Sequence, residues 1–345
     1  MKSKLSNFYP MVIVLIVMVS GLLSIVPFGA EATEKPIVLR YSEMTGPKGT
    51  RPDSIKWWIS EVEKRSAGRL KIEMYWSESL LKVKENIRGV GQGVTDLGYC
   101  VGQYSPTEMP LWTFSSAVPF PRAKLLDVYK AIWALYDSEP ALKEELQRKN
   151  IIALSIFPYD YYSLWTKKQI NRLEDLKGQK IRVSSDMHAS LMQAAGATPI
   201  FLPAADIFIA LQRGTVDGLT FPLEHIHPYG LEEVVKFGAN IGLLGITPII
   251  GMNLKTFQGL PKDLQQILTD TGREMTFYGL NLIETKRAKD TEVLKKGGVN
   301  IYDIPKPETD NWAASVAGFK TKWIKDHSDV PAERTVNKFI QILGK

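Results

Sequence analysis

Arg182 is the residue whose surroundings suggest chemistry first. It interrupts an apolar run, Ile181-Arg182-Val183, and is followed by Ser184-Ser185. A strand carrying it would therefore end on two small polar residues. In open α/β sheets, ligands settle outside the carboxyl ends of the strands. A guanidinium at that place offers a rigid fork of donors suited to bidentate capture of a carboxylate. The alternative is an internal salt bridge to an acidic side chain, which spacing alone favours.

Other reactive residue types are sparse. The four histidines are His188, His225, His227 and His327. Glu224-His225-x-His227 has metal-ligand chemistry, but it is flanked by Pro222 and Pro228 and has no third spaced ligand. No Gly-x-Ser-x-Gly elbow is present, and Cys100 has no placed histidine partner. Its apolar surroundings suit a small buried residue. Gly89-Val-Gly-Gln-Gly93 lacks the Lys-Ser/Thr of a phosphate loop and follows a helical pattern, so it reads as a helix stop. These absences argue against an enzyme and against a resident metal or cofactor. Aromatic residues are more telling. Residues 99–165 hold thirteen of the chain's Phe, Trp and Tyr, with Tyr159, Tyr161, Tyr162 and Trp165 crowded together. Tyrosines give apolar faces with a hydroxyl at the rim, useful for closing over a small polar organic ligand. Two hydrophobic cores meeting at a domain junction would need the same residues.

The elements that must position these groups alternate in type. Ile37–Tyr41 reads as a strand and Gly46–Pro52 as a loop. A helix capped by Asp53 or Ser54 then carries Ile55, Trp58, Ile59 and Val62 on one face and stops at Gly68. Leu70, Ile72, Met74 and Trp76 alternate with polar residues, as in a strand with one buried face. A helix over 82–91 and a strand over 95–99 follow. Farther on, strands are expected over 151–156, 180–183, 198–202 and 215–219, with helices over 187–195 and 205–213. This alternation predicts doubly wound, mostly parallel sheets. Pro261 to Lys296 contains only two glycines, Gly272 and Gly279, and no further proline. Its apolar residues keep no clean heptad, so a long helix lying across two domains fits better than a coiled coil.

The chain has 345 residues with 44% hydrophobic and 23% charged residues, enough for two globular cores. Its 43 Lys and Arg against 37 Asp and Glu give +6, with no basic cluster that would track nucleic acid. At the N-terminus, Lys2 and Lys4 precede an apolar run from Met11 to Val26 and the small-residue site Ala30-Glu31-Ala32. That order predicts a secretory signal peptide cleaved after Ala32. The run is shorter than the roughly 20 residues of a membrane span. No cysteine follows it for lipid attachment, and the lone Cys100 permits no intramolecular disulfide. An exported protein without disulfides suits the bacterial periplasm.

Several segments together resemble the substrate-binding proteins of TRAP transporters, the DctP-like family. They are Asp175-Leu-Lys-Gly-Gln-Lys-Ile-Arg-Val183, Ala195-Gly-Ala-Thr-Pro199 and Ala210-Leu-Gln-Arg-Gly-Thr-Val-Asp-Gly218. Trp76-Ser-Glu-Ser-Leu80, Gly93-Val-Thr-Asp-Leu-Gly98, Val118-Pro-Phe120 and Gly251-Met-Asn-Leu-Lys255 with Gly259-Leu-Pro-Lys-Asp-Leu-Gln265 agree in order. Each motif is loose alone, and the set spans roughly residues 36–325.

The resemblance implies a type II-like periplasmic binding protein, α/β throughout, with two lobes joined by hinge strands and a long helix. It implies lobe I as 33–158 plus 248–286 and lobe II as 159–247 plus 287–345, after a signal peptide at 1–32. It further implies a receptor, not an enzyme, that encloses a small organic acid by hinge closure. The receptor would deliver that acid to a membrane permease of a small and a large subunit, driven by an ion gradient. By the same resemblance Arg182 matches the family arginine that pairs with the ligand carboxylate. Tyr99, Tyr162 and Phe221 supply walls, Tyr161 stands beside them, and Met44 lies in a cleft-lining loop. Many members carry an asparagine or a Glu-Trp pair where Thr220 and Phe221 stand, so the polar contact or metal bridge of those branches does not carry over. Members that bind acidic sugars have a further arginine near Tyr161-Tyr162; its absence points to a less polar carboxylate. The expected state is a monomer, periplasmic and not a lipoprotein, with no metal, cofactor or nucleic acid. The alternative functions are a receptor for an ABC importer or a sensor kinase and, more remotely, a periplasmic enzyme.

Overall fold

The computed structural model describes residues 35–344. The expected signal peptide over 1–32 lies outside the described residues. In chain order the protein begins with β1 (Ile37–Ser42), α1 (Thr50–Arg65), β2 (Leu70–Tyr75), α2 (Asn86–Gln92), β3 (Leu97–Cys100), α3 (Leu125–Ser138), α4 (Pro140–Arg148) and β4 (Ile151–Ile156). It continues with β5 (Tyr162–Thr166), β6 (Lys180–Val183), α5 (Asp186–Ala194), β7 (Thr198–Phe201), α6 (Ile207–Gln212), β8 (Gly218–Pro222) and β9 (Phe237–Leu243). It ends with β10 (Ile249–Asn253), α7 (Leu254–Gly259), α8 (Lys262–Lys296), β11 (Asn300–Asp303), α9 (Lys306–Ser315), α10 (Phe319–Asp326) and α11 (Ala332–Leu343).

The strands form two sheets, ordered β2-β1-β3-β10-β4 and β11-β9-β5-β8-β6-β7. Each is mostly parallel with one reversed strand. β10 runs antiparallel to β3 and β4, and β5 runs antiparallel to β8 and β9. The reversed strands are the two that the chain enters directly from the other sheet, through residues 157–161 and 244–248. The two crossings are tied where the Phe157 amide donates to the Pro248 carbonyl at 2.9 Å. The architecture is thus the expected two-lobed α/β fold, with the parallel winding broken once in each lobe.

Helix α8 is continuous over 35 residues, a length of about 52 Å at 1.5 Å per residue. Its first half packs on lobe I. Trp58 Nε1 donates to Thr271 Oγ1 at 3.1 Å, and Thr276 Oγ1 donates to the Ile156 carbonyl at 2.7 Å. Farther along, Arg287 pairs with Asp160 in the first crossing at 2.9 Å. The two glycines of this helix sit at its closest approaches. A Cβ on Gly272 would lie 2.3 Å from the Leu154 carbonyl oxygen, and one on Gly279 would lie 2.8 Å from Pro158 Cγ.

Three local readings differ from the sequence expectation. Helix α1 begins at Thr50, not Asp53, after Gly49 at φ +106°. Pro52 is accommodated because the first helical turn needs no intrahelical amide donors. Gly89 and Gly91 lie inside α2, and only Gly93, left-handed at φ +77°, ends it. Leu81 Cδ1 and the Lys149 carbonyl come within 2.3 Å of where Cβ atoms at Gly89 and Gly91 would stand. The C-terminal segment also divides differently from the expected 287–345 assignment. β11 joins the second sheet, but α10 and α11 pack on lobe I. Trp323 Nε1 donates to Thr113 Oγ1 at 3.0 Å, Phe339 meets Phe114 edge-on at 5.0 Å, and Arg334 pairs with Glu139 at 2.6 Å.

Gly272→Ala should destabilise the protein by about 1–3 kcal/mol, because the added methyl overpacks helix against strand and outweighs alanine's better helix propensity. Equilibrium denaturation in urea checks this, and a variant as stable as the wild type would contradict it.

Candidate functional site

Arg182 lies on β6, level with Ile200 of β7 and Leu219 of β8. Its side chain is 0% exposed. Nε donates to the Leu202 carbonyl at 2.8 Å, just past the end of β7, and Nη1 donates to the Thr220 carbonyl at 3.2 Å. Both carbonyls are main-chain groups, Leu202 just past β7 and Thr220 in the middle of β8, so the fork is fixed without spending its charge. Nη2 donates to Tyr104 Oη at 3.2 Å, and that tyrosine belongs to lobe I. Cζ stands 5.4 Å from the Phe221 ring centroid, within cation–π range. Among the described residues no carboxylate lies within 4.0 Å of this guanidinium, so the internal salt bridge that spacing favoured is not formed.

The arginine is braced by a neutral histidine. Ser185 caps α5 and accepts from the His188 amide at 3.3 Å. Burial, with a smaller push from the Arg182 charge, lowers the His188 pKa to about 4. His188 Nε2 donates to the Leu244 carbonyl in the second crossing at 3.1 Å, leaving Nδ1 to accept from Thr220 Oγ1 at 3.0 Å. Helix α5, strand β8 and the crossing are thereby tied at one ring.

A second buried arginine lies on the lobe I side. Arg51, in the first turn of α1, is 4% exposed. Nη1 donates to Tyr159 Oη, and Nη2 lies 3.0 Å from Glu43 Oε1. Cζ stands 4.3 Å over the Tyr99 ring. Tyr99 and Tyr159 join through their hydroxyls. From Tyr159 the aromatic contacts run to His225 at 5.0 Å and to Tyr162 at 6.4 Å, and both of these meet Phe221, at 5.6 and 6.3 Å. Phe221 also meets Tyr229 at 5.6 Å. The two guanidiniums thus face opposite ends of one continuous group of rings.

Of the residues expected at the site, Arg182, Tyr99, Tyr162 and Phe221 fall within this group. Tyr161 does not. Adjacent residues of extended chain point to opposite sides, and Tyr161 donates to the Ala123 carbonyl at 2.7 Å. It lines a separate hollow of about 350 Å³ with Phe120, Arg122 and Asn240. Met44 is buried in the loop after β1, between Glu43 and Thr45. His225 and His227 diverge, the first buried among the rings and the second exposed against Glu232 at 2.5 Å. Sequence reasoning missed Arg51, Glu43, Tyr104 and Tyr229. Arg51 was hidden by the late placement of the α1 start. Its signal was a cation in a first helical turn, where the helix dipole disfavours positive charge unless something compensates.

Glu224 follows β8 and touches the first crossing, accepting from the Asp160 amide at 3.0 Å. Burial, reinforced by the Asp160 charge, raises its pKa from 4.5 to about 8. A carboxyl raised in the fold favours the protonated form, so its contribution is greatest at low pH and is lost as pH climbs from 4.5 toward 8. Glu224→Gln should therefore melt near the wild-type temperature at pH 5 and progressively above it as pH approaches 8. Thermal melts across that window check the sign; a gap that closed with rising pH would contradict it.

Residues 41–326 match the profile of the bacterial extracellular solute-binding proteins, family 7, called DctP. A "Solute-binding protein" of Albidiferax ferrireducens is 26% identical over 317 residues, covering 87% of this chain and 91% of its own. The C4-dicarboxylate-binding periplasmic protein DctP of Rhodobacter capsulatus is 24% identical, covering 81% and 84%. Among solved structures, a TRAP solute-binding protein of Rhodoferax ferrireducens in complex with copurified benzoate superposes with a TM-score of 0.81 at 21% identity, covering 89% of this chain and 98% of that one. DctP7 of Bordetella pertussis, a receptor binding pyroglutamic acid, superposes at 0.78 with 22% identity, covering 90% and 100%. The two-lobed architecture is therefore that of TRAP solute receptors, and the profile match over most of the chain assigns the sequence: this protein belongs to the DctP family, family 7 of the bacterial extracellular solute-binding proteins.

Proposed function

We propose that this protein is the extracytoplasmic receptor of a TRAP-type transporter, capturing a small organic carboxylate between its lobes and delivering it to a membrane permease of a small and a large subunit. The observation that carries the reading is Arg182, a fully buried guanidinium with main-chain partners and, among the described residues, no carboxylate beside it. Burying a charge without a counter-charge is costly, and a ligand carboxylate supplies the missing partner. The ring faces of Tyr99, Tyr159, Tyr162 and Phe221 suit a flat or apolar ligand body. Among proteins of the same fold, one is solved in complex with copurified benzoate and another is a receptor binding pyroglutamic acid. The cleft offers donors and ring faces suited to holding a ligand unchanged, so the protein acts as a receptor and not as an enzyme.

The protein works in the periplasm as a monomer, exported by residues 1–32 and released without a lipid anchor. Among the described residues no helix is long and apolar enough to cross a membrane. Lobe I comprises 33–158 and 248–286, joined by the terminal helices α10 and α11; lobe II comprises 159–247 and the residues around β11. Closure turns on residues 157–161 and 244–248. A ligand drives closure only by binding the closed form better. The Arg182–Tyr104 bond across the lobes makes the arginine that holds the carboxylate also a contact of the closed form.

Arg182→Ala should weaken binding of a recognised carboxylate by roughly 30-fold or more, matching about 2–5 kcal/mol for a truncated buried charge contact. Calorimetric titration, with benzoate and pyroglutamate as first probes, measures it, alongside Arg182→Lys to keep the charge. Wild-type affinity in the alanine variant would overturn this role. Tyr104→Phe keeps the ring and loses only the hydroxyl. It should lower affinity about tenfold or more, as expected for one hydrogen bond to a charged group, mainly through a faster off-rate in stopped-flow measurements.

A further inference from the structure

The Arg51 end of the ring group differs electrically from the Arg182 end. Arg51 carries its own counter-charge, Glu43, which is 0% exposed. That carboxylate is held by three donors besides Arg51: the Thr45 amide at 3.0 Å, Thr45 Oγ1 at 3.1 Å and Tyr41 Oη at 3.2 Å. The pair is buried and closed on itself, so this end adds no net charge. Asp160 is likewise matched by Arg287, and Glu224 is held in its neutral form near pH 7. Among the described residues Arg182 is left as the one cation of the cleft without an acidic partner.

The Arg51 end is nevertheless not saturated. Among the described residues the buried Arg51 Nε has no acceptor, and Nη2 is engaged only by the Glu43 ion pair at 3.0 Å. His225 Nε2, also buried, has no partner either. Burial, aided by the Arg51 charge, keeps His225 neutral. In the tautomer protonated at Nδ1, Nε2 is an acceptor. Buried polar groups are normally paired. Here the unused Arg51 Nε donor and the unpaired His225 Nε2 border the same rings, since Arg51 bonds Tyr159 and His225 lies 5.0 Å from Tyr159.

We propose that Arg51, Glu43 and His225 form a second subsite, which takes an uncharged hydroxyl at the far end of the ligand and makes the receptor selective for monocarboxylates over dicarboxylates. A hydroxyl accepts from Arg51 and donates to His225 Nε2, which no carboxylate does. A second carboxylate would instead compete with Glu43 for one guanidinium and bury an uncompensated negative charge. The inference rests on Arg182 holding the ligand carboxylate.

Two matched series test it by calorimetric titration of the full mature chain: benzoate, 3-hydroxybenzoate and isophthalate, and butyrate, 4-hydroxybutyrate and succinate. In at least one series the hydroxy acid should bind about tenfold or more tighter than the dicarboxylate, and tighter than the unsubstituted acid. Glu43→Gln, which leaves Arg51 without its counter-charge, should shift the ratio toward the dicarboxylate by about tenfold. His225→Phe, which keeps a ring and removes the acceptor, should shrink the preference for the hydroxy acid over the unsubstituted one. A dicarboxylate bound as tightly as the hydroxy acid by the wild type would overturn the subsite and leave the Arg182 assignment standing. Equal loss of affinity for all ligands in Arg182→Ala, with no hydroxy-acid preference in the wild type, would also overturn the subsite alone. No binding by any carboxylate of either series would remove the carboxylate reading beneath it. The wild-type ratios decide the question even where a buried substitution prevents folding.

Discussion

A buried guanidinium whose charge is not cancelled governs this molecule. Taking an arginine out of water costs several kcal/mol that must be recovered from its surroundings. Arg182 recovers part of it from the Leu202 and Thr220 carbonyls and from the Phe221 face. These partners are dipoles and quadrupoles, which hold the cation in place without neutralising it. The second lobe is arranged to deliver them. Parallel pairing of β6 with β7 and β8 puts a main-chain carbonyl on either side of the arginine. His188 then fixes Thr220 against the second crossing.

In lobe I the contact to this arginine is carried by tightly packed elements. Tyr104 reaches Arg182 from a short turn whose tight packing requires Gly102, where a Cβ would stand 3.0 Å from the Met109 carbonyl oxygen. The neighbouring Gln103 donates to Ser115 at 3.2 Å and to Thr247 at 3.4 Å, linking the turn to the second crossing. Helix α8 seats its glycines against β4 and Pro158 and pairs Arg287 with Asp160, so it braces the first crossing along its side. A rigid helix with close backbone contacts concentrates bending in the two short crossings.

Much of this was legible in the sequence, for identifiable reasons. Arg182 was legible because a cation inside an apolar strand violates the pattern around it, and α8 because its residues lack helix breakers. Its two glycines looked like weaknesses and are sites of close approach. The turn of strand direction at β5 and β10 was not legible, since apolar periodicity carries no sense of direction. Tyr161 and Tyr162 were equivalent as types; only the alternation of extended chain separated them. Arg51 was lost to a boundary error of three residues, and its partner Glu43 lies eight residues away across a loop that no local period describes.

The two arginines illustrate how one residue type yields different chemistry through its company. With a carboxylate 3.0 Å away, Arg51 becomes part of a neutral, donor-rich wall. With carbonyls and a ring, Arg182 remains a charge. Exchanging these environments would leave the composition and the net charge of the cleft unchanged, but would reverse the direction in which a ligand lies. In the proposed reading, ligand orientation is set by the placement of Glu43 as much as by either arginine. A cleft of this kind reads a ligand by its distribution of charge along its length, and total charge alone would not distinguish the two ends.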